Sequence, residues 1–482
     1  MKHRYIVLAL ILVFNFTSAA LCNEHHYWSN QFGSRSALMS GAVVGGVRDT
    51  SSGFYNPGAI GLVSESTFSV SANGYRLESI KIDDGAGTGE DIDSREKAVI
   101  PLLISGTLDF GGSSFGYSLI AKNQSSVRMS GRRVQISDIL SSNPDYLDPV
   151  ELDSGTAFDG DEEYRAQFSY DSDVKELWGG LSYARKVHAR FSLGMSAFLA
   201  FRNQSYSLTQ FARVTNLDTF YIASEDDFSN ADFYNVRALA KFGAAADFGA
   251  LRMGATLTTP SVSLYGKGTV GAGESRVKED DVIGNLADDR QDGLDAEYKT
   301  PLSMAAGFEY AITRRTFIAG TIEWFAKQDS YNVITPESRS YFVGDEDIGS
   351  ESDSQDILGV KDAADSVTNF AVALEHIFSD RIKGYLSFCT DYSSSQDEPD
   401  IKMGMNKWDI YHTTIGLTRK GESSELAVGL TYSFGSQDNY QQLSNLNPDD
   451  RTDDSFLLAE DKKTSADYTS LGVIVGYTYF FK

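Results

Sequence analysis

The stretch Ser470-Leu-Gly-Val-Ile-Val-Gly-Tyr-Thr-Tyr-Phe-Phe481 alternates large apolar side chains with small or polar ones. The large set is Leu471, Val473, Val475, Tyr477, Tyr479 and Phe481, and the small or polar set is Ser470, Gly472, Gly476 and Thr478. Because successive side chains of a strand point to opposite faces, one face of this strand is apolar and the other is small. An apolar outer face over a small or polar inner face is typical of a strand in a membrane-spanning barrel.

The same alternation recurs along most of the chain, in segments joined by short and long connections in turn. The six tight turns are Phe110 to Ser113, His188 to Arg190, Phe248 to Ala250, Thr313 to Arg315, Phe378 to Arg381 and Lys420 to Glu422. The seven long connections lie near 83–95, 124–162, 216–231, 271–294, 336–364, 396–406 and 436–465. Short turns on one side of a membrane and long loops on the other are the pattern of outer-membrane barrels. The sequence therefore predicts an all-β fold, a 14-stranded antiparallel transmembrane β-barrel.

The chain begins with a segment that is typical of export. Lys2 and Arg4 precede the apolar run 5–16, and the small residues Ser18, Ala19 and Ala20 follow it, with cleavage after Ala20 or after Cys22. The run is shorter than the roughly 20 residues that a spanning helix needs, so we interpret residues 1–20 as a signal peptide. With only two cysteines, Cys22 and Cys389, the chain has no disulfide framework.

Residues 21–63 differ from the strands that follow. Residues 36–50 are small and glycine-rich, and they lead into Phe54-Tyr-Asn-Pro-Gly-Ala-Ile-Gly-Leu62, where Pro57 and its glycine neighbours favour an irregular turn. Irregular backbone at membrane depth is tolerated only inside protein. We therefore expect residues 21–63 to form a plug in the lumen and residues 64–482 to form the barrel as one closed unit.

The chain resembles the long-chain fatty acid transporter family (FadL-type), which includes aromatic-hydrocarbon channels. The resemblance rests on the segment Gly41 to Leu62, the strand Leu251 to Gly268 with its Thr258-Thr-Pro-Ser261 interruption, and the aromatic last strand. Two departures stand out. Gly58 takes the place of the usual alanine, which predicts a looser plug turn, and Lys482 follows the terminal aromatic that the barrel assembly machinery reads.

The resemblance implies an outer-membrane channel in which hydrophobic small molecules, such as fatty acids or hydrocarbons, diffuse past the plug and leave sideways into the membrane lipid. It implies a kink in the third strand, and the run Lys122 to Ser126 is the weakest strand sequence there. The alternative is a barrel of the same architecture that does not transport and serves as a surface docking or secretion-associated platform. Its working parts would be the loops 124–162 and 336–364.

Ligand contact is expected from apolar plug residues, from lumen-facing aromatics and from inward cations. These candidates are Phe54, Tyr55, Asn56, Pro57 and Ile60 in the plug and Phe198, Arg202, Arg237 and Lys241 on the wall. The apolar residues are as readily explained by packing of plug against wall. The cations, with Arg252, could meet a carboxylate head group, or they could pair with lumen acids in a network that includes Arg48 and Glu323.

Composition narrows the remaining classes of function. The formal net charge of -25 argues against binding of nucleic acid. The histidines lack metal-ligand spacing, and the acidic loops lack the fixed ligand positions of an EF-hand, so we expect no cofactor and no metal site. No nucleophile motif stands in its required strand-to-helix context, and we expect a monomer without enzymatic activity.

Overall fold

The computed structural model describes residues 26–62, 66–110, 113–139, 151–152, 155–156, 160–218, 220–278, 281–342, 351–396, 405, 407–452 and 455–481. The predicted signal peptide and Lys482 lie outside the described residues. Within the described part of the chain, no helix is long and apolar enough to cross a bilayer.

Strands dominate the described residues. The strands are β1 Thr67–Ile82, β2 Ile92–Asp109, β3 Ser113–Ser137, β4 Glu151–Leu152, β5 Gly155–Thr156, β6 Glu162–His188, β7 Phe191–Asn216, β8 Ile222–Asp247, β9 Leu251–Thr258, β10 Val262–Lys278, β11 Asp281–Asp295, β12 Ser303–Ala311, β13 Thr316–Phe325, β14 Gln328–Ile334, β15 Ser340–Phe342, β16 Glu351–Asp353, β17 Val360–Ala364, β18 Val367–Ser379, β19 Ile382–Asp391, β20 Asp409–Lys420, β21 Ser424–Gln441 and β22 Lys463–Phe480. The helices are α1 Ser34–Leu38, α2 Ser52–Tyr55, α3 Pro57–Ile60 and α4 Ser354–Leu358, with one 3₁₀ turn at Pro448–Asp450.

The strands close into a 14-stranded antiparallel barrel, as predicted. Its wall runs in the order β8-β7-β6-β3-β2-β1-β22-β21-β20-β19-β18-β13-β12-β9 and is closed by the pairing of β9 with β8. Closure satisfies the backbone donors and acceptors that lipid cannot satisfy. Above β9 and β12 the hairpin β10–β11 extends the wall, with β10 paired along the upper half of β8.

All six predicted tight turns join consecutive wall strands, but several predicted loops are strand. The predicted loop 216–231 is reduced to five residues, 217–221, and most of 271–294 is the β10–β11 hairpin. The prediction followed the apolar outer face, which ends at the membrane interface. On β6, for example, outward residues change from Tyr183, Leu181 and Leu177 to Lys175 and Asp173 while the inward residues stay buried. The strands therefore continue into the aqueous space, where packing on the inner face sustains them.

Residues 26–62 lie inside the barrel, where nearly all of them are buried. Small polar side chains of the wall bond to this N-terminal segment. Ser196 Oγ donates to the Gly53 carbonyl at 2.7 Å, and Ser387 Oγ donates to the Leu38 carbonyl at 2.8 Å. The small polar inner faces predicted from the sequence thus contact the N-terminal segment and supply hydrogen-bond partners for its irregular backbone.

Glycines of the wall let the N-terminal segment approach the strands closely. A Cβ on Gly254 would lie 2.0 Å from the Val44 carbonyl oxygen, and one on Gly243 would lie 2.3 Å from Asn56 Oδ1. Gly58 is equally confined, since an added Cβ would lie 2.7 Å from the Gly243 carbonyl oxygen. The glycine at position 58 therefore gives a closely packed turn, and the looser turn expected from the sequence is wrong.

The outer mouth of the barrel is covered by the connection between β21 and β22, residues 442–462. Leu457 and Leu458 donate their backbone N–H groups to Glu225 on β8, each at 2.8 Å. Tyr164 on β6 donates to the Leu457 carbonyl at 3.1 Å. Leu446, Phe456 and Leu457 pack with Tyr164 and other inward side chains in a second hydrophobic cluster. This cover holds the protruding halves of the long strands together.

Candidate functional site

A cavity that is partly open to solvent lies between the N-terminal segment, the covered outer mouth and the wall, with about 1170 Å³ of empty space when the open solvent at its mouth is included. Its lining combines aromatic rings with charged groups. The aromatic members are Tyr27, Trp28, Phe54, Tyr55, Trp178, Tyr298 and Phe325, and the charged members are Lys122, Glu176, Arg202, Arg237, Lys241, Lys299, Glu323 and Asp362. Such a lining suits a molecule with an apolar body and a polar end.

Phe54 stands at the centre of the aromatic surface. Its ring lies edge-on to Phe32 at 4.9 Å and to Trp178 at 6.2 Å between centroids. The short helix α2 presents Phe54 to the cavity, and Asn56 fixes the turn that follows by donating to the Val44 and Ala244 carbonyls at 2.9 and 3.0 Å. The position of Phe54 is therefore set by the bonds of its neighbour to the wall.

Arg202 and Arg237 form an ion-paired group with Glu176. Glu176 accepts from Arg202 at 2.8 Å and from Arg237 at 2.6 Å, and all three side chains are almost fully buried. Tyr298 lies against both cations, with the Arg202 guanidinium carbon 3.9 Å from its ring centroid. The carboxylate of Glu176 already neutralises part of this charge, so these arginines serve first to hold the wall strands β6, β7 and β8 together.

Lys122 and Lys241 flank Phe54 from two sides of the wall. Their ammonium groups lie 5.6 and 4.8 Å from its ring centroid. Lys122 donates to the Tyr27 carbonyl at 2.7 Å. Within the described residues Lys241 has no hydrogen-bond or ion-pair partner, and its nitrogen is held only by the ring. Glu323 acts on this ammonium electrostatically from beyond ion-pair distance, and a buried ammonium without a direct acid partner attracts an anionic group.

The cavity acid Glu323 and the neighbouring Asp391, which lies outside the cavity lining, are both bound by the N-terminal segment. Glu323 accepts from Trp28 Nε1 at 2.8 Å and from Ser303 at 2.7 Å. Above it, Asp391 accepts from the Trp28 backbone at 2.9 Å. These bonds tie the start of the described N-terminal segment to β12, β13 and β19.

A second charged group lies below the cavity and joins the N-terminal segment to the wall. Glu309 on β12 accepts from Arg35 and Arg252, each at 2.6 Å, and from Arg48. Arg35 also reaches Glu375 on β18 at 2.6 Å. The prediction that inward arginines pair with lumen acids thus describes Arg48 and Arg252, although Glu309 rather than Glu323 is their acid.

The structure separates the predicted ligand residues into two groups. Phe54, Tyr55, Arg202, Arg237 and Lys241 line the cavity. The other four pack or cap around it: Asn56 and Pro57 shape the turn, Ile60 lies near Gly116 of β3, and Phe198 packs on Trp178 at 5.5 Å between centroids.

Sequence reasoning passed over Lys122, Glu176, Trp178 and Tyr298, which also line the cavity. Glu176 and Trp178 point inward on β6, as Phe198 does on β7, so the alternation that identified Phe198 could also have identified them. Tyr298 lies outside the strands, so alternation carried no signal for it. Across the described residues, no group of three or more His, Cys, Asp or Glu side chains is placed to hold a metal ion.

Comparison with known proteins finds likeness in structure but not in sequence. No family model and no curated protein matches the sequence. Among solved structures, a Pseudomonas aeruginosa FadL homologue aligns with 95% of this chain and 100% of its own at 11% identity and a TM-score of 0.57. The P. putida toluene transporter TodX aligns with 94% of this chain and 99% of its own at 14% identity and a TM-score of 0.54.

The Ralstonia pickettii toluene transporter TbuX aligns over the same shares, at 11% identity and a TM-score of 0.55. At such identities the likeness establishes the fold, and the apolar outer faces of the strands establish a membrane-spanning wall. The protein has the fold of the FadL-type outer-membrane barrels.

Proposed function

We propose that this protein is an outer-membrane channel through which hydrophobic small molecules diffuse. The observation that carries the proposal is the pocket lined by aromatic rings between the N-terminal segment and the wall, in a barrel whose lumen holds residues 26–62. An open aqueous pore would serve polar solutes, whereas a closed lumen with an apolar pocket favours molecules that leave water readily.

The ligand that best fits the cavity is an amphiphile with an anionic head, such as a long-chain carboxylate. Lys122 and Lys241 offer charge beside an apolar ring, and Glu176 neutralises one of the two arginine charges, so the group of three also keeps a net positive charge. A neutral hydrocarbon would leave the ammonium of Lys241 buried against its apolar body, which is unfavourable. The toluene transporters of the same fold are named for a neutral ligand, and the lysines argue for a different one here.

The N-terminal segment 26–62 acts as the plug in this proposal, and the ligand leaves beside β3. Three features support that exit. The pairing of β3 with β6 shifts register at Lys122, the described β2–β3 ladder ends at the pair Leu103 and Ile120, and Lys122 lines the cavity. A bulge bends the strand and weakens the wall locally. A ligand held at Lys122 therefore stands next to the weakest part of this side.

Transport is tested with the purified barrel in liposomes by following uptake of a pyrene-labelled dodecanoate. The variants Lys122→Met and Lys241→Met should each lower the affinity for this probe about tenfold, the usual loss of one charge-assisted contact. Neither should lower uptake of neutral pyrene, and Lys241→Met should raise it, because an apolar ligand then no longer meets a buried ammonium. Lys267→Met, which removes an exposed lysine from β10, is the matched control. If liposomes with the barrel took up each probe no faster than liposomes without it, the channel would be refuted.

A further inference from the structure

One side of the wall contains a gap in backbone pairing, which we call the wall window. Its lower edge is the bond from the Ala326 N–H to the Leu302 carbonyl at 2.9 Å, and its upper edge is the bond from the Glu297 N–H to the Val333 carbonyl at 2.8 Å. Between these bonds, residues 298–301 face residues 327–332, all within the described part of the chain, with no backbone hydrogen bond across.

The wall window lies at the outer edge of the membrane-spanning band. Outward residues of β12 and β13 are apolar up to Met304 and Trp324, and Lys327 and Asp329 above them are exposed. Aromatic residues such as Trp324 concentrate at the boundary between lipid and water. The gap therefore opens at the level where amphiphiles in the outer leaflet place their head groups.

The wall window also borders the cavity. Tyr298, Thr300 and Pro301 from one edge line the cavity, as does Gln328 from the other. Irregular backbone near membrane depth is tolerated where it lines a cavity. The segment is held from its other side: Thr300 Oγ1 accepts from Arg237 at 3.0 Å, the Thr300 N–H donates to Ser261 Oγ at 2.8 Å, and the Thr300 carbonyl accepts from the Ser261 N–H at 3.0 Å.

Tyr331 bridges the wall window. Tyr331 Oη accepts from the Lys299 backbone N–H at 3.1 Å and donates to Asp362 on β17 at 2.9 Å. The ammonium of Lys299 lies 4.4 Å from the Tyr331 ring centroid. One hydroxyl thus joins both edges of the gap to β17, and a rotation of this side chain would separate them.

We infer that the wall window is the entrance through which an anionic amphiphile passes from the outer leaflet into the cavity, with Tyr331 as its gate. The inference rests on the proposed function, because an entrance matters only if the cavity takes up a ligand. It places the entrance between residues 298–301, which precede β12, and residues 327–332, which follow β13, away from the exit at β3. It also fits the covered outer mouth, which residues 442–462 close from above.

The entrance is tested by blocking it. Gln328→Cys, in a Cys22→Ser background, places a thiol on one edge of the gap, while Cys389 is buried and unreactive. Coupling a bulky maleimide to it should lower the rate of uptake of the pyrene-labelled dodecanoate by about tenfold, as closure of a gate does. Thr335→Cys, an exposed position above the upper edge, should be labelled without effect.

The gate is tested by freeing it. Tyr331→Phe removes the hydroxyl and both of its hydrogen bonds, which should shift the gate toward its open form and raise the uptake rate about tenfold at low probe concentration. Tyr392→Phe, at a half-buried tyrosine just past β19, is the matched control. Because equilibrium affinity depends on Lys241 and not on the gate, both effects should appear in the rate while binding stays unchanged.

The two proposals fail in different ways. In one outcome, modification of Gln328→Cys leaves the uptake rate at its unlabelled value while Lys241→Met still weakens binding. That result would overturn the proposed entrance and leave the proposed channel intact. A barrel that accelerates no uptake at all overturns the channel itself. Unchanged uptake by Tyr331→Phe removes the tyrosine as a gate.

Discussion

The substitution Glu309→Gln tests what holds the N-terminal segment in the barrel. Glu309 is 2% exposed and accepts from Arg35, Arg48 and Arg252. Removing one partner of a buried ion pair costs about 3 to 5 kcal/mol, because a charge is left without compensation. Arg35 keeps Glu375 and Arg252 keeps Asp247, so we expect the lower end, about 3 kcal/mol.

This loss should appear as local opening of the segment and not as unfolding of the barrel. The wall strands keep their backbone ladders, whereas Arg35 and Arg48 of the N-terminal segment both pair with this carboxylate on β12. A loss of about 3 kcal/mol corresponds to roughly a hundredfold rise in the population of open forms. Hydrogen exchange of peptides from 35–50, measured by mass spectrometry in detergent, should therefore accelerate about hundredfold.

Asp295→Asn makes the same change of charge at an exposed ion pair with Lys267 and should alter exchange by less than about twofold. If Glu309→Gln left exchange of residues 35–50 as slow as in Asp295→Asn, the charged group would not be what anchors the segment. Equal acceleration in β12 and β13 would mean that the wall itself had loosened, which would also refute the reasoning.

Three further changes probe the same architecture. Gly254→Val should drive its side chain into the Val44 carbonyl and expel residues 44–58 without unfolding the barrel. Proteolysis within 44–58 should then appear while the heat-modifiable gel mobility of the barrel is retained. Full protection of 44–58 from proteolysis would contradict the close approach of Val44 to Gly254. Asn56→Ala removes the hydrogen bonds to Val44, Ala244 and Gly58 and should destabilise the turn by about 2 kcal/mol. This loss should appear as faster hydrogen exchange at residues 54–60. The control Asn332→Ala, at an exposed site, should have no effect on it. Burial raises the pKa of Asp450, but hydrogen bonds from Lys462 and Thr88 outweigh it and hold this pKa below its ordinary value. The stability that Asp450 gives to the cover 442–462 is therefore present at neutral pH and is lost as the pH falls below about 4. Hydrogen exchange in 445–458 should rise on acidification of the native protein, and Asp450→Asn should abolish that pH dependence.

The membrane-spanning part of the fold was predictable because lipid imposes a strict rule. Apolar outward residues such as Leu193 and Met195 must alternate with inward ones, and short turns such as His188 to Arg190 mark one side. Beyond the interface the rule ends, since outward residues such as Lys175 face water. The strand β8 was consequently predicted to begin too late, at residue 232 instead of Ile222.

The candidate site was predictable only where it lies on strands. Parity alone placed Arg202, Arg237 and Lys241 toward the lumen, and all three line the cavity. Parity gave no information about which acid each would meet, because Glu176 is on another strand and its distance depends on register. Tyr298 and Tyr331 lie in or beside the interrupted part of the wall, where neither alternation nor turn chemistry applies.

The charged residues of the lumen fall into two groups, those that hold the structure together and those that are free to bind a ligand's head group in the proposed function. The arginines that touch the N-terminal segment or join wall strands are paired with Glu309 or Glu176, and their planar guanidinium groups suit such bidentate or shared contacts. Lys122 and Lys241 flank Phe54 without an acid in ion-pair distance among the described residues, and an ammonium on a flexible stem can follow a head group as it moves. If both kinds of residue served only to hold the wall, exchanging Lys241 for arginine should be harmless. If Lys241 binds a mobile ligand, the same exchange should slow release of the dodecanoate probe, because a guanidinium holds a carboxylate with two hydrogen bonds.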